Sequence, residues 1–170
     1  RQGLSAAAAR GAAAARQAVR RPQPGTMLTL FDALPGLLED RAPPGPDAVE
    51  GVLAKLAATV RGGPELLPRL ARAGVVDAGA LGMYALFEGL FRHLAGRMEG
   101  CRPLTETFAG WLAVREAFQE TAAREYCIDA VIRAPRGGDP LAGLEGAGRS
   151  LVTGRDGDLV KIHLHTAARA

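Results

Sequence analysis

The spacing of apolar residues changes once along this chain of 170 residues, and the change limits the folds that the chain can adopt. Between residues 26 and 98, apolar side chains recur every three or four positions, as in helices with one buried face. Between residues 126 and 166 they alternate with polar side chains, as in half-buried strands. The sequence therefore predicts an α+β protein, with an all-helical part over residues 1–100, a helical connector over residues 101–119 and an α/β part over residues 120–170.

Proline and glycine divide the helical part. The first twenty residues are rich in alanine, arginine and glutamine, which are good helix formers. We expect further helices over residues 26–40, 47–61, 65–73 and 78–98. Pro35 is expected to kink or stop the first of these, and Gly62, Gly63 and Pro64 to end the second. A last helical stretch is predicted over residues 105–124.

The α/β part is predicted to contain three strands. They are expected over residues 127–132, 150–153 and 159–165. Residues 136–140 are predicted as a turn and residues 141–146 as a short helix. The hairpin turn between the last two strands is expected at residues 154–157, whose sequence is GRDG.

His163 and His165 are the residues of this part with the most chemical potential. Residues two apart on a strand point to the same side, with Cα atoms about 6.5–7 Å apart, so two imidazoles can converge on one zinc ion. Cys127, at the start of the first strand, could supply a thiolate as third ligand. The alternative is that the two histidines are polar residues on a solvent-exposed face.

Two turns that precede helices are candidate ligand sites. Asp77 stands where a helix cap belongs, and Gly79 permits close approach of a ligand to the backbone, so the turn Asp77-Ala78-Gly79 could hold a polar group. The alternative is that Asp77 is only a cap. The turn that contains Gly25, Thr26 and Met27 indicates, by itself, only that a helix begins there.

Composition excludes several functions. The net charge of +3 comes mostly from arginines, but no aromatic residues are interleaved with those near the start, as single-strand nucleic-acid binding would require. Two cysteines do not make a disulfide framework.

Neither a transmembrane run nor a signal peptide is present, which favours a cytoplasmic protein. Phosphate-binding loops and closely spaced carboxylates for Mg²⁺ are also missing, so these residues could not transfer a phosphoryl group unaided.

The order of the motifs resembles that of the catalytic subunit of bacterial fatty acid kinase, which has a helical domain similar to the nucleotide-binding subunit of dihydroxyacetone kinase. The resemblance covers nearly the whole chain. It is carried by residues 24–29 (PGTMLT), 73–82 (AGVVDAGALG), 126–129 (YCID), 150–152 (SLV) and 157–166 (GDLVKIHLHT). Arg149 departs from the family, which usually has an acidic residue before the serine-led strand.

The resemblance implies that the chain is an internal fragment: the end of a nucleotide-binding helical barrel, followed by the start of a middle domain. The family transfers phosphate from ATP to a fatty acid that a separate carrier protein presents, and the acyl phosphate feeds phospholipid synthesis. The magnesium-binding aspartates would lie upstream, so no catalytic residue is assigned here. The residues implied on the adenosine side of the ATP pocket are Gly25, Thr26, Met27, Asp77, Ala78 and Gly79; those implied for zinc are Cys127, His163 and His165.

Two other functions remain open at this stage. One is a kinase on the same helical scaffold that acts on a small ketone such as dihydroxyacetone; such a subunit has no middle domain with a cysteine and a His-X-His pair. The other is a non-catalytic zinc-binding scaffold or sensor. The expected partners are ATP and the fatty-acid-binding carrier, with no nucleic acid, and a homodimer is considered as an oligomeric state.

Overall fold

The computed structural model of the chain describes residues 3–19, 21–38, 43–118, 125–134, 142 and 144–167. Helices and a three-stranded antiparallel sheet lie in these ranges, which confirms the predicted α+β class. The chain forms two compact units: a helical unit of residues 1–14 and 23–119, and a sheet unit of residues 15–22 and 120–170. Within the described ranges, no helix combines the length and the apolar character that crossing a membrane requires.

Six α-helices are present in the described part of the chain. They are α1 (Leu4–Ala18), α2 (Met27–Leu37), α3 (Val49–Leu66), α4 (Pro68–Ala73), α5 (Ala78–Ala95) and α6 (Leu104–Thr107). Thr26 caps α2, where its hydroxyl oxygen accepts from the backbone N–H of Leu28 at 3.4 Å. Asp77 caps α5 by accepting from the backbone N–H of Ala80 at 2.8 Å. Both side chains satisfy amide groups that a helix start leaves without partners, and for Asp77 the sequence predicts this role.

The core of the helical unit lies between α2, α3 and α5. Its most deeply buried large side chains are Leu30, Val49, Leu56 and Phe108. The ring of Tyr84 meets that of Phe108 edge to face, with centroids 5.0 Å apart. Burial, followed by the nearby charge of Glu88, raises the pKa of Tyr84 to about 12.

An ion-pair network, buried at Arg92 and Glu88 and exposed at Glu50, joins α3 to α5. Arg92 and Glu88, one turn apart on α5, are 5% and 4% exposed, and Arg92 Nε lies 3.1 Å from Glu88 Oε1. The guanidinium also reaches Glu50 on α3 through two contacts, Nη1 to Oε1 at 2.5 Å and Nη2 to Oε2 at 3.1 Å. This bidentate geometry suits an arginine and a carboxylate. It lowers the pKa of Glu50, mainly through the hydrogen bond from Arg92.

The structure corrects the predicted ends of three helical segments. Helix α2 continues past Pro35 but ends at Leu37, before the predicted end at residue 40, which agrees with the early stop expected from Pro35. Pro64 lies in the last turn of α3, where its missing N–H removes only one bond from a helix that ends at Leu66.

The predicted connector helix is limited to α6, and residues 108–118 form turns and bends instead. In this segment the Arg115 N–H donates to the carbonyl of Ala73 at 2.9 Å, and the Trp111 carbonyl accepts from Val76 N–H at 3.1 Å. These long-range backbone hydrogen bonds replace those that a continuous helix would make. The rest of the predicted stretch, residues 119–124, lies outside the described residues.

The sheet unit contains the strands β1 (Tyr126–Arg133), β2 (Arg149–Asp156) and β3 (Leu159–Thr166), in the order β1-β3-β2 with antiparallel neighbours. The hairpin turn is shorter and later than predicted: residues 154–156 belong to β2, and only Gly157 and Asp158 connect it to β3. Gly157 has a φ of +60°, which glycine adopts without strain. A short 3₁₀ helix, Leu144–Gly146, precedes β2, and the predicted turn at residues 136–140 lies outside the described part.

The two faces of the sheet differ in chemistry. On β3, Val160, Ile162 and Leu164 are buried and form a small core together with Leu151 and Ala134. The alternate residues of β3 point to the other face, because successive side chains of a strand lie on opposite sides. That face therefore carries Lys161, His163 and His165.

Candidate metal centre

The pairing of β1 with β3 brings the predicted metal-binding residues together. Cys127 lies directly opposite His165, and Asp129 lies directly opposite His163. Because Cys127 and Asp129 are two residues apart on β1, as the histidines are on β3, all four side chains point to the same face. The antiparallel pairing thus brings residues of β1 and β3, which are distant in sequence, close together on one face of the sheet.

The cluster is compact. One ligand atom from each of Cys127, His163 and His165 lies within 4.8 Å of the others. The Sγ of Cys127 is 3.9 Å from Nδ1 of His163, and the two imidazole centroids are 5.1 Å apart. The histidines are half-buried, whereas Cys127 is exposed. A thiolate and two imidazoles at these separations fit the donor set that zinc prefers, and modest side-chain movement would bring all three to bonding distance.

Asp129 belongs to this cluster, although sequence analysis assigned it no role. Its Oδ1 lies 3.2 Å from Nδ1 of His163, and its Oδ2 lies 4.0 Å from Sγ of Cys127. Lys161 Nζ is 4.0 Å from Oδ1 of the same carboxylate. The sequence did contain a feature that could have identified Asp129: it follows Cys127 by two residues, the same spacing that separates the two histidines.

An irregularity in β2 lies beside the cluster. Arg149 pairs with His165 and Val152 with His163, so β2 has an extra residue between them, and Ser150 adopts a φ of +58°. A bulge of this kind increases local twist and is common beside functional sites. Arg149, which departs from the family pattern, forms an ion pair with Glu125, so its charge next to His165 is matched by a carboxylate.

The residues predicted on the adenosine side of a nucleotide pocket come from two turns that the helical unit brings into contact. A Cβ built on Gly79 would lie 3.3 Å from Cε of Met27 and 3.1 Å from Oδ1 of Asp77. A larger residue at position 79 would therefore displace the Met27 side chain. Asp77 and Thr26 both serve as helix caps, as described above, and Ala78 is the first residue of α5.

Gly25 has a structural reason to be glycine. Its φ is +84°, and a Cβ there would lie 2.5 Å from the carbonyl oxygen of Gly63. The backbone N–H of Gly25 donates to the hydroxyl of Thr29 at 2.8 Å. The turn before α2 is thus held against α3 through backbone contact, which fixes the position of Met27 relative to Gly79.

Comparison with known proteins relates the chain to a family. The Uncharacterized protein SERP0792 of Staphylococcus epidermidis is 27% identical over 92% of this chain and 31% of its own length. The Uncharacterized protein SH1689 of Staphylococcus haemolyticus is 26% identical over 97% of this chain and 32% of its own length. The chain therefore spans about a third of the length of the curated relatives that it matches.

The model of the DAK2 domain matches residues 2–92, which end within α5 and do not reach the strands β1, β2 and β3. The two staphylococcal relatives align over more of the chain, so their similarity extends into the sheet unit. Because the family model covers more than half of its residues, the chain belongs to the DAK2 domain family, whose members are dihydroxyacetone-kinase-like.

Proposed function

We propose that this chain is part of a cytoplasmic, ATP-dependent kinase that phosphorylates fatty acids presented by a carrier protein and so supplies acyl phosphate for phospholipid synthesis. Membership of the DAK2 domain family supports the kinase class. The choice of a fatty acid rather than a small ketone rests on one observation: Cys127, His163 and His165 converge on strands that lie beyond the family match. A ketone kinase subunit needs no such strands.

The helical unit would contribute the adenosine side of the ATP pocket. The turn of Gly25, Thr26 and Met27 and the turn of residues 77–79 are in contact, and both open helices whose N-terminal ends favour polar or anionic groups. Phosphoryl transfer depends on positioning and on magnesium-held phosphates. We expect the magnesium ligands outside this chain, so its role in the reaction is to orient the nucleotide.

The sheet unit would hold zinc through the Cys127 thiolate and the two histidine imidazoles. Zinc bound in this way can stabilise a small fold or polarise an oxygen ligand. Among the residues of this unit that the structure describes, the buried core is small: Ala134, Leu151, Val160, Ile162 and Leu164. A cross-link between β1 and β3 would therefore add substantially to its folding free energy.

Metal analysis of the purified chain tests this proposal. We expect about one zinc per chain in the wild type and its loss in Cys127→Ala and His163→Ala. The chain offers matched controls in Cys101→Ala and His93→Ala, which remove an exposed cysteine and an exposed histidine far from the cluster in sequence. Zinc-free wild type with native circular dichroism would contradict the metal centre, and equal loss in the controls would indicate non-specific binding.

The substrate is tested separately. We expect the 170-residue chain to form no acyl phosphate from ATP and a fatty acid, because the magnesium ligands are not among its residues. In a longer protein that contains this chain, trapping with hydroxylamine should detect acyl phosphate when the carrier-bound fatty acid is supplied. Phosphorylation of dihydroxyacetone instead would favour the ketone kinase, and zinc binding without either reaction would favour the scaffold or sensor.

A further inference from the structure

We propose that Asp129 is a fourth protein ligand of the zinc ion, which gives a closed site with one cysteine, two histidines and one aspartate. This inference rests on the metal centre proposed above and adds a residue and a coordination state to it. It follows from the strand register, the distances within the cluster and the charge that the ligands would carry.

The register places four potential ligands at the corners of one square of the sheet. Cys127 and His165 form one cross-strand pair, and Asp129 and His163 form the next pair on the same face. Directly opposite residues in an antiparallel pair have Cβ atoms about 4.5–5.5 Å apart. Four side chains at such corners point to the same side of the sheet and can turn toward one another.

The distances resemble the edges of a coordination tetrahedron. Bonds of about 2.0–2.2 Å to nitrogen and oxygen and about 2.3 Å to sulfur place nitrogen and oxygen ligands roughly 3.3 Å apart, and sulfur roughly 3.6 Å from either. The observed separations are 3.2 Å from Asp129 Oδ1 to His163 Nδ1, 3.9 Å from Cys127 Sγ to His163 Nδ1, and 4.0 Å from Cys127 Sγ to Asp129 Oδ2. The Asp129 distances belong to different oxygens, Oδ1 toward His163 and Oδ2 toward Cys127, and the three-residue group with ligand atoms within 4.8 Å of one another does not include Asp129. Binding through one oxygen therefore requires the carboxylate to turn toward the metal, a side-chain rotation.

Charge also favours the carboxylate. A thiolate and a carboxylate with two neutral imidazoles balance the two positive charges of zinc. The competing partner of Asp129 is Lys161, whose Nζ is 4.0 Å away, with side chains 67% and 56% exposed. An ion pair this exposed is weak, so it would not hold the carboxylate away from a metal.

A closed site predicts a structural metal. Structural zinc sites take four protein ligands, whereas catalytic sites keep one position for water or substrate. With Asp129 bound, the zinc would tie β1 to β3 and would have no position for the acyl carboxylate. The fatty acid would then be held elsewhere, and the metal would support the sheet.

Cobalt substitution tests the coordination state directly. Co²⁺ replaces zinc in the purified chain, and its visible spectrum is recorded with and without azide, which binds only where a coordination position is open. The variants are Asp129→Ala and Asp129→Asn; the matched control is Asp158→Asn, which removes a carboxylate from the same sheet unit, where it pairs with Arg133. Metal affinity is measured in parallel by competition with a chromogenic chelator.

We expect azide to leave the wild-type and control spectra unchanged and to alter those of both Asp129 variants. Metal affinity should fall by at least about 10-fold in those variants and stay within about 2-fold in the control. A wild-type spectrum that responds to azide would overturn the inference while leaving the three-ligand metal centre intact. Wild type that binds no cobalt or zinc would overturn the metal centre itself, and the fourth ligand with it.

Discussion

Replacing Arg92 by methionine should destabilise the helical unit more than any other single change to its charges. Arg92→Met removes the cation that pairs with Glu88, which is 4% exposed, and also the partner of Glu50 on α3. Removing one partner from a buried ion pair typically costs about 3–5 kcal/mol, because the remaining charge stays desolvated. With a urea dependence of about 2 kcal/mol per molar, the midpoint of unfolding should fall by roughly 2 M.

Trp111 makes the measurement specific. It is the only tryptophan of the chain and packs against the core of the helical unit, so its fluorescence reports on that unit alone. Urea titrations should then be run on the wild type, on Arg92→Met and on the control Arg97→Met. Arg97 pairs with Glu99 at 3.8 Å with both side chains exposed, and its loss should cost under about 1 kcal/mol.

A double variant decides whether the buried charge is the cause. Arg92→Met with Glu88→Leu removes both buried charges and should recover most of the lost stability, to within about 1–2 kcal/mol of the wild type. Glu50→Ala, at a side chain 65% exposed, should cost only about 1 kcal/mol. The argument fails if Arg92→Met is no worse than Glu50→Ala, or if adding Glu88→Leu makes the protein less stable still.

Three further changes test other parts of the helical unit. Since the hydrogen bond from Arg92 lowers the pKa of Glu50 below 4.5, the stability that Glu50 adds is present above about pH 4.5 and lost as pH falls through the lowered pKa. The urea midpoints of wild type and Glu50→Gln should therefore differ at pH 7, and the difference should shrink as the pH is lowered below 4.5. Asp77→Ala should cost about 0.5–2 kcal/mol in the same titration through loss of the α5 cap, whereas Asp77→Asn, which can also cap, should cost little. Gly25→Ala should cost at least about 1 kcal/mol through its positive φ and its clash with Gly63, and Gly51→Ala, in an open part of α3, should instead gain about 0.5–1 kcal/mol; equal effects would contradict the clash.

Sequence reasoning succeeded where local signals and the hydrophobic period agree. Helix α5 has a cap at Asp77 and a continuous 3.6-residue period, which act within a few residues of the chain and place its start correctly. It ends at Ala95, before the left-handed Gly96, and not at the predicted residue 98. Strand β3 has an alternation that leaves no doubt about which residues are buried. Such features need no knowledge of the rest of the fold.

Prediction from the sequence failed where hydrogen bonds to distant backbone groups determine the local structure. Residues 108–118 have ordinary helix formers, but the backbone of Arg115 hydrogen bonds to the end of α4, and that of Trp111 to Val76 between α4 and α5. Helix propensity differs by less than about 1 kcal/mol per residue, so such contacts can outweigh it. Pro64 shows the opposite error, in which a strong local breaker is tolerated because the helix ends two residues later.

The candidate metal centre shows the same division. The spacing of His163 and His165 predicted a metal site from the sequence. The position of Asp129 could not be predicted in this way, because it depends on which residue of β1 pairs with which residue of β3. No pattern within either strand determines that register. The β1–β3 register is determined by the apolar face of the sheet. A slip of β1 by one residue would turn Cys127 and Asp129 toward the buried Ile162 and Leu164, and it would expose the partly buried Ile128. The cluster is therefore a consequence of burying aliphatic side chains on the opposite face. Removing metal should loosen the cluster without moving the register, and a change of β1–β3 pairing on chelation would contradict this account.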